Sequence, residues 1–313
     1  MIEALSRAFF LAAAGSPLLK RAVSRYGMRG PDSFARRFIG GETVDEVLRT
    51  VHTLEKSGFT HTLNYLGEHV TSAEAARTAT RAYLQTIEQI GLAGVPCKVS
   101  VKLSQIGLEI DREQCLAQLR EIVALARHHG GFVRIDMEGS GLLDDTLETF
   151  ASLWSEGHRN IGVVLQSYLY RTKDDLQRVM EMGARVRLVK GAYKESADIA
   201  YREKRDVDDA FAQQAKTLLV QGSAPAFATH DPRMIDTICR YASDNGLGND
   251  GFEFQMLYGV RRDLQASLAA RGYSVRIYLP FGQDWFPYFM RRLAERPANV
   301  TFVAKSILYE GRG

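Results

Sequence analysis

The chain has 313 residues, of which 45% are hydrophobic and 25% are charged, as in an ordinary globular protein with one large domain or two small ones. A formal net charge of +3 is too small to indicate nucleic-acid binding, and no block of basic residues supports it. Cys97, Cys115 and Cys239 lie far apart without a C-x-x-C pair, which argues against a disulfide framework or a structural zinc. No apolar run approaches the length of about 18 residues that a membrane span needs. We therefore expect a cytoplasmic protein without a nucleic-acid partner.

Residues 1–38 predict one or two N-terminal helices that pack on the main domain. The stretch "AFFLAAAG" (8–15) is short and has Glu3 and Arg7 before it, which disfavours a cleaved signal peptide. Its mixture of apolar and basic residues leaves room for peripheral contact with the inner face of the cell membrane. We assign an N-terminal helical arm to residues 1–40 and one catalytic domain to residues 41–313.

A short apolar, β-branched run followed by a helical stretch occurs eight times from residue 59 onward. The predicted strands are 59–66, 97–103, 132–138, 161–168, 185–191, 224–230, 252–257 and 274–280. The predicted helices are 72–91, 111–129, 142–157, 172–182, 207–221, 231–245, 260–271 and 284–296, with helix-capping residues at Ser72 and Asp231. Eight such units over about 240 residues predict a (β/α)8 barrel of the TIM type, with extra N-terminal helices. A doubly wound open sheet is the alternative, but the chain has no G-x-G-x-x-G motif.

The predicted strands carry an unusual number of polar residues toward their carboxyl ends, where barrels of this type place their chemistry. These residues are Lys102, Asp136, Glu138, Gln166, Arg187, Lys190, Thr229, His230, Glu253, Gln255 and Tyr278. Any one of them could be structural, but the whole set is hard to explain by structure alone. The last predicted helix would bring Arg291 and Arg292 to the same rim. With Lys102, Arg187 and Lys190, these basic residues outnumber the carboxylates, which predicts a site for an anion.

The last predicted helix, within "DWFPYFMRRLAERP" (284–297), has two different faces. The apolar face is formed by Phe286, Phe289, Met290 and Leu293, and the other by Trp285, Tyr288, Arg291, Arg292 and Glu295. On most surface helices the second face is solvated. Here the paired arginines could instead hold a carboxylate or phosphate through bidentate bonds, and Trp285, Tyr278 and Tyr288 could wall a flat ligand.

The polar residues show no metal-ligand spacing, no nucleophile elbow and no Cys/His pair, which favours a cofactor as the source of reactivity. Two other classes stay open on these observations. Lys102 or Lys190 could form a Schiff base, as in barrel aldolases. A non-catalytic barrel that binds an anion is the other possibility.

Several segments resemble the proline dehydrogenase family in its monofunctional, bacterial form. They are "RLVKGAY" (187–193), "FATHD" (227–231), "FEFQMLYG" (252–259) and "YLPFGQDWFPYFMRRLAERPAN" (278–299), with weaker likeness in "VSVKLSQIG" (99–107) and "VVLQSYLYRT" (163–172). The resemblance implies a barrel that holds FAD and oxidises L-proline to Δ1-pyrroline-5-carboxylate by hydride transfer to flavin N5. It also implies a quinone as electron acceptor and a separate pyrroline-5-carboxylate dehydrogenase that takes the product.

The resemblance also implies a role for each matching residue. The proline carboxylate would be held by Lys102, Arg291 and Arg292, and the ring walled by Tyr278 and Tyr288. FAD would be contacted by Met137, Gln166, Arg187, Lys190, Gly191, Ala192, Thr229, His230 and Gln255. Asp136 and Arg187 correspond to catalytic positions. Glu68 corresponds to a gate residue that pairs with Arg187, and Glu295 to an ion-pair partner of a last-helix arginine; no metal is implied.

Overall fold

The computed structural model of the protein describes residue 28 and residues 33–67 and 70–295. Eight parallel strands form a closed barrel in sequence order, with β8 hydrogen-bonded to β1. The strands are β1 Thr60–Tyr65, β2 Lys98–Val101, β3 Phe132–Ile135, β4 Ile161–Gln166, β5 Arg185–Val189, β6 Ser223–Ala228, β7 Glu253–Leu257 and β8 Ser274–Phe281. The prediction of a (β/α)8 barrel is confirmed, and the open-sheet alternative is wrong.

Helices alternate with the strands along the described part of the chain. They are α1 Val44–Lys56, α2 Ala73–Leu92, α3 Arg112–His128, α4 Leu143–Ser155, α5 Thr172–Glu181, α6 Lys204–Gln221, α7 Pro232–Asp244, α8 Arg262–Ala270 and α9 Trp285–Glu295. Short 3-10 helices occupy Phe34–Arg37, Leu103–Ile106 and Ser140–Leu142. The predicted caps at Ser72 and Asp231 are present, because each side chain accepts a hydrogen bond from a first-turn N–H group of its helix. Helix α1 lies before the first predicted strand and was not among the predicted helices.

The two faces of each barrel strand bury different chemistry. Val133 and Ile135 belong to the apolar core between the strands and the surrounding helices, whereas Arg134, between them, points into the barrel and lines a cavity there. The same alternation in β5 points the Arg187 side chain into the barrel, while its neighbours Val186 and Leu188 belong to the apolar core. A polar barrel interior is therefore built into the alternation of these strands.

A second apolar cluster fastens the start of the described chain to α9. Phe34 and Phe38 pack on Phe289, with ring centroids 5.4 and 6.2 Å apart. The backbone N–H of Gly40 donates to the carbonyl oxygen of Pro280 at 2.8 Å, which continues the attachment to the end of β8. Of residues 1–38, over which N-terminal helices were predicted, 1–27 and 29–32 lie outside the described residues, and the boundary at residue 40 stays a prediction. No described helix has both the length and the apolarity to cross a bilayer.

Candidate active site

One cavity of about 940 Å³ opens at the carboxyl ends of the strands. Its walls include every predicted substrate and cofactor residue, which are Lys102, Asp136, Met137, Gln166, Arg187, Lys190, Gly191, Ala192, Thr229, His230, Gln255, Tyr278, Tyr288, Arg291 and Arg292. Barrel closure brings these residues together from seven strands or strand ends and from α9. Glu68 and the side chain of Glu295 lie outside the described residues, so their predicted pairings stay predictions.

Asp136 is the centre of a hydrogen-bond cluster on the cavity floor. Its Oδ2 atom accepts from Lys102 Nζ at 2.8 Å and from the Tyr278 hydroxyl at 2.6 Å, and its Oδ1 atom accepts from Arg187 Nη2. Burial by itself raises the pKa of Asp136, but the charges of Lys102 and Arg187 and these hydrogen bonds hold it well below its usual range. Asp136 is therefore an ionised acceptor that fixes three cavity side chains from three other strands.

Arg187 is buried and held from several sides. Its Nη1 atom donates to Gln255 Oε1 at 3.2 Å and to Ser100 Oγ at 3.4 Å, and its guanidinium carbon lies 5.3 Å from the centroid of the Tyr278 ring. The buried Nε atom has no hydrogen-bond partner among the described residues. Arg187 is therefore fixed at the cavity floor by side chains from three other strands or strand ends.

Helix α9 presents two guanidinium groups to the cavity beside an aromatic ring. The guanidinium carbons of Arg291 and Arg292 lie 6.0 and 5.0 Å from the centroid of the Tyr288 ring. Tyr278, in β8, contributes a second ring to the cavity wall. Burial, and after it the Asp136 carboxylate, hold the pKa of Tyr278 well above its usual range, so the phenol stays neutral and donates its hydrogen bond. Two rings, two guanidiniums and Lys102 form a pocket wall suited to a small ring that carries a carboxylate.

Hydrogen bonds order the ends of β3, β4 and β6. Gln166 Nε2 donates to the carbonyl oxygen of Glu138 at 2.8 Å, and the Glu138 carboxylate accepts from the backbone N–H of Ser104 at 3.0 Å. Thr229 Oγ1 accepts from the N–H of Asp231 at 3.1 Å. His230 Nε2 accepts from the N–H of Leu257 at 2.9 Å, so this histidine supports the loop after β7 as well as lining the cavity.

The segment after β5 needs its glycine. Gly191 has a φ of +118°, and a Cβ atom there would lie 2.3 Å from the ring of Tyr168. Any other residue would be strained and would clash with Tyr168, so the glycine lets the backbone pack against that ring while it lines the cavity. The neighbouring Lys190 forms ion pairs with Asp208 and, at 2.8 Å, with Asp231.

Three sequence-based expectations about this rim need correction. Lys102, Arg187 and Lys190 are paired with carboxylates of the fold, so the excess of cations that could serve a ligand is smaller than predicted. Trp285 does not wall the cavity, because its side chain is buried against Phe286 and Phe289. Its indole belongs to the second apolar cluster, which also contains Phe34 and Phe38. A helical wheel of α9 alone cannot show this neighbour.

The third correction concerns Glu253. It starts β7 and pairs with Arg276 at 2.7 Å, which puts it at the amino end of the barrel, away from the predicted rim. The strand was predicted correctly, but one strand crosses the whole barrel, and only its last residues reach the rim.

Several residues that line the cavity were not predicted. They include Asn64 and Tyr65 at the end of β1, Gly67 after it, Ser104 in the 3-10 helix after β2, Tyr193 after β5 and Arg261 before α8. Tyr193 could have been found, since it completes the segment "RLVKGAY". Arg261 gave no signal, because its place depends on a left-handed backbone conformation with φ of +54°.

Comparison with known proteins agrees with this architecture. The family model described as proline dehydrogenase matches residues 47–305. A proline dehydrogenase of Deinococcus radiodurans is 41% identical over 312 residues, which cover 98% of this chain and 99% of that protein. Proline dehydrogenase 2 of Bacillus subtilis is 40% identical over 303 residues, covering 97% of this chain and 99% of the relative.

A structural relative gives the same assignment. The crystal structure of proline utilization A from Bdellovibrio bacteriovorus, inactivated by N-propargylglycine, superposes with a TM-score of 0.79 at 27% identity. The match covers 84% of this chain and 32% of that protein, so this chain spans about a third of its length. The full-length sequence likeness and the shared barrel lead to one assignment: the chain belongs to the proline dehydrogenase family of oxidoreductases.

Proposed function

We propose that this protein uses FAD to oxidise L-proline to Δ1-pyrroline-5-carboxylate, the first step of proline catabolism to glutamate, and passes the electrons to a quinone. The observation that carries the proposal is the cavity in which Lys102, Arg291 and Arg292 lie with two tyrosine rings beside the ends of β4, β5 and β6. Its combination of a carboxylate-binding wall and a separate polar wall suits an amino acid next to a larger cofactor.

The cavity fits a flavin dinucleotide in size and in the chemistry of its walls. A volume of about 940 Å³ lies near the upper end for small-molecule sites, which are roughly 300–1,000 Å³, and exceeds what a small amino acid needs. Gly191 lines the cavity without a side chain, and Gln166, Thr229 and Gln255 bring polar groups to its wall, which suits a large, polar cofactor. The residues that would hold it are Met137, Gln166, Arg187, Lys190, Gly191, Ala192, Thr229, His230 and Gln255. When bound, FAD supplies the N5 atom that accepts a hydride from C5 of proline.

The side chains of this protein would bind and orient the substrate. Arg291, Arg292 and Lys102 would hold the carboxylate through charge-assisted bonds, while Tyr278 and Tyr288 would confine the ring. Fixing the carboxylate fixes C5, so proximity and orientation would supply much of the acceleration. The positive charge of Arg187, buried on the cavity floor, would stabilise negative charge that develops on the cofactor.

We assign Asp136 an orienting role. A carboxylate whose pKa lies well below its usual range is a weak base, and its oxygens already accept from Lys102, Arg187 and Tyr278. The proline nitrogen must be neutral before hydride leaves C5. We propose that the neutral amine is selected from solution, and that Asp136 holds its three donors in place.

The geometry disfavours the Schiff-base alternative. A Schiff base needs a neutral lysine amine. Burial lowers the pKa of Lys102, but Asp136 more than reverses this and raises it above its usual value, so the group stays an ammonium. Lys190 is held between Asp208 and Asp231. Borohydride trapping of a carbonyl substrate on the protein would favour the aldolase class over the one proposed.

Anaerobic flavin spectroscopy tests the proposal directly. Protein purified or reconstituted with FAD should show the visible absorption of an oxidised flavin, and L-proline should bleach it. D-proline serves as the control, because the clamp and the ring walls can suit only one arrangement of carboxylate and C5. Protein that cannot be loaded with FAD would refute the cofactor assignment, and a loaded protein that L-proline does not bleach would refute the substrate.

The acceptor and the downstream partner are proposals that rest on the resemblance alone. Protein reduced by proline should be reoxidised much faster by a soluble quinone than by oxygen. Faster reoxidation by oxygen would contradict the quinone assignment. We further propose a cytoplasmic location with peripheral contact to the inner face of the cell membrane, and a separate pyrroline-5-carboxylate dehydrogenase that takes the product.

A further inference from the structure

A second, smaller cavity of about 140 Å³ lies at the opposite end of the barrel, among the amino ends of the strands. Five cationic side chains line it, and only two acidic ones do. The cations are Lys98, Arg134, Arg185, Arg187 and Arg276, and the acids are Asp250 and Glu253. Apart from Arg187 and Gln255, which also line the first cavity, no residue of this cavity has a part in the proposed reaction.

Ion pairing inside the fold neutralises only part of this charge. Arg276 donates to Glu253 through Nε and Nη2 at 2.9 and 2.7 Å. Arg187 forms an ion pair with Asp136 in the cavity of about 940 Å³ at the carboxyl ends of the strands, the upper cavity. Within the described part of the chain, no carboxylate lies within ion-pair distance, 4.0 Å, of Lys98, Arg134 or Arg185. Among residues 33–67 and 70–295, these three cations thus border one small cavity without a direct ion pair, although Glu253 acts on Lys98 and Arg134 at longer range.

Contacts within the fold hold two of these cations side by side, the buried Arg134 and the exposed Arg185. Arg134 is only 6% exposed, and its Nη1 atom donates to the backbone oxygen of Arg185 at 2.7 Å. The guanidinium carbons of Arg134 and Arg185 lie 5.0 and 5.2 Å from the centroid of the same Phe132 ring. A Cβ atom on Gly162 would lie 2.6 Å from Arg134 Nη1, so a glycine makes room for the guanidinium.

Holding like charges this close is unfavourable unless a counter-charge compensates for it. Burial, and after it the charge of Arg187, lower the pKa of Arg134, and Glu253 opposes this shift only in part. A guanidinium pair with an ammonium nearby offers several N–H donors in the fork geometry that matches an oxyanion.

We propose that this lower cavity is a binding site for a small oxyanion of the phosphate class, held by Arg134, Arg185 and Lys98. Its charge would compensate for the positive excess at the amino end of the barrel. The site would be separate from the carboxylate clamp, although Arg187 and Gln255 line both cavities.

Titration of inorganic phosphate into the FAD-loaded protein tests this assignment. Calorimetry at fixed pH and ionic strength should show saturable binding of one phosphate per chain, and phosphate should raise Tm more than chloride at equal ionic strength. Arg185→Gln and Lys98→Gln should each weaken phosphate binding by at least about tenfold, because each removes a charged donor. Both side chains are at least partly exposed, so these variants should fold.

Two control variants distinguish phosphate binding in the lower cavity from binding elsewhere on the protein. Arg205→Gln removes a cation that is 90% exposed on α6, and it should leave phosphate binding unchanged. Arg291→Met alters the upper cavity and should also leave it unchanged. The proposal is overturned if binding is not saturable, if chloride stabilises equally, or if Arg291→Met abolishes binding while Arg185→Gln does not.

Discussion

At the scale of single residues, the paired arginines of α9 now have an assigned use. Both line the upper cavity, and Arg292 lies over the Tyr288 ring with a separation of 5.0 Å. Adjacent positions on a helix point about 100° apart. Two neighbouring arginines can therefore reach one ligand only if it lies between their directions, as a carboxylate held from two sides would.

Replacing either arginine by methionine, Arg291→Met or Arg292→Met, should weaken proline binding and leave the flavin in place. Losing one charge-assisted bond should lower kcat/KM by about 2–4 kcal/mol, roughly 30- to 900-fold, mainly through a higher KM. Steady-state kinetics with L-proline measure this. Arg205→Met, on the exposed face of α6, is the matched control and should leave KM unchanged. An unchanged KM in both clamp variants would remove the substrate role from α9.

At the scale of elements, α9 is positioned by a segment from the start of the described chain. Its Trp285 is 1% exposed, and the indole Nε1 atom donates to Glu42 Oε1 at 2.8 Å. Glu42 is in turn held by Glu46, which accepts its backbone N–H at 2.8 Å. The same helix carries Arg291 and Arg292 to the cavity, so the packing of Trp285 on one side positions the proposed carboxylate-binding arginines on the other.

Trp285→Phe should therefore change substrate binding from outside the cavity. The variant removes the bond to Glu42 and leaves that acceptor without its partner, so stability should fall by about 1–3 kcal/mol. A small tilt of α9 should raise KM for proline several-fold, while the flavin spectrum stays unchanged. Trp154→Phe, in α4, is the matched control, because Trp154 does not line the cavity. If the two variants have the same KM, α9 is not positioned through Trp285.

At the scale of the whole molecule, charged side chains inside the barrel link neighbouring and distant strands at both of its ends. Asp136 joins groups from β2, β5 and β8 to its own strand β3, and Glu253 joins β7 to β8 at the other end. Removing one member of such a buried set leaves the others without a partner, which costs more than an intact pair contributes.

The global stability should consequently depend on the ionisation of Asp136. Its folded-state pKa is depressed, so its contribution is complete above the unfolded value of about 3.9 and is lost as pH falls below it. Asp136→Asn should cost about 3–5 kcal/mol at neutral pH, and the difference from the natural chain should shrink below about pH 4. Urea unfolding at several pH values measures this.

The control is Asp209→Asn, which changes a largely exposed carboxylate on α6 and should alter neutral-pH stability by less than about 0.5 kcal/mol. A difference for Asp136→Asn that stays constant down to about pH 2 would contradict the ion-pair account.

The amino-acid sequence by itself determined the elements and their order. All eight predicted strands are confirmed, because each contributes buried apolar residues to the core between strands and helices, and each is followed by a helical stretch. The strand-end motifs also located the upper cavity, since barrel closure brings every strand end to one rim. Family membership likewise followed from local segments such as "RLVKGAY".

Only the tertiary structure decided which polar groups face each other. Sequence position does not show that Lys102, Arg187 and Tyr278 share Asp136, because these contacts span four strands. Nor does it show that Trp285 turns away from the cavity, since a helical wheel gives directions without naming the neighbour in each direction. The lower cavity has the same origin: its cations are far apart along the chain and meet only when the barrel closes.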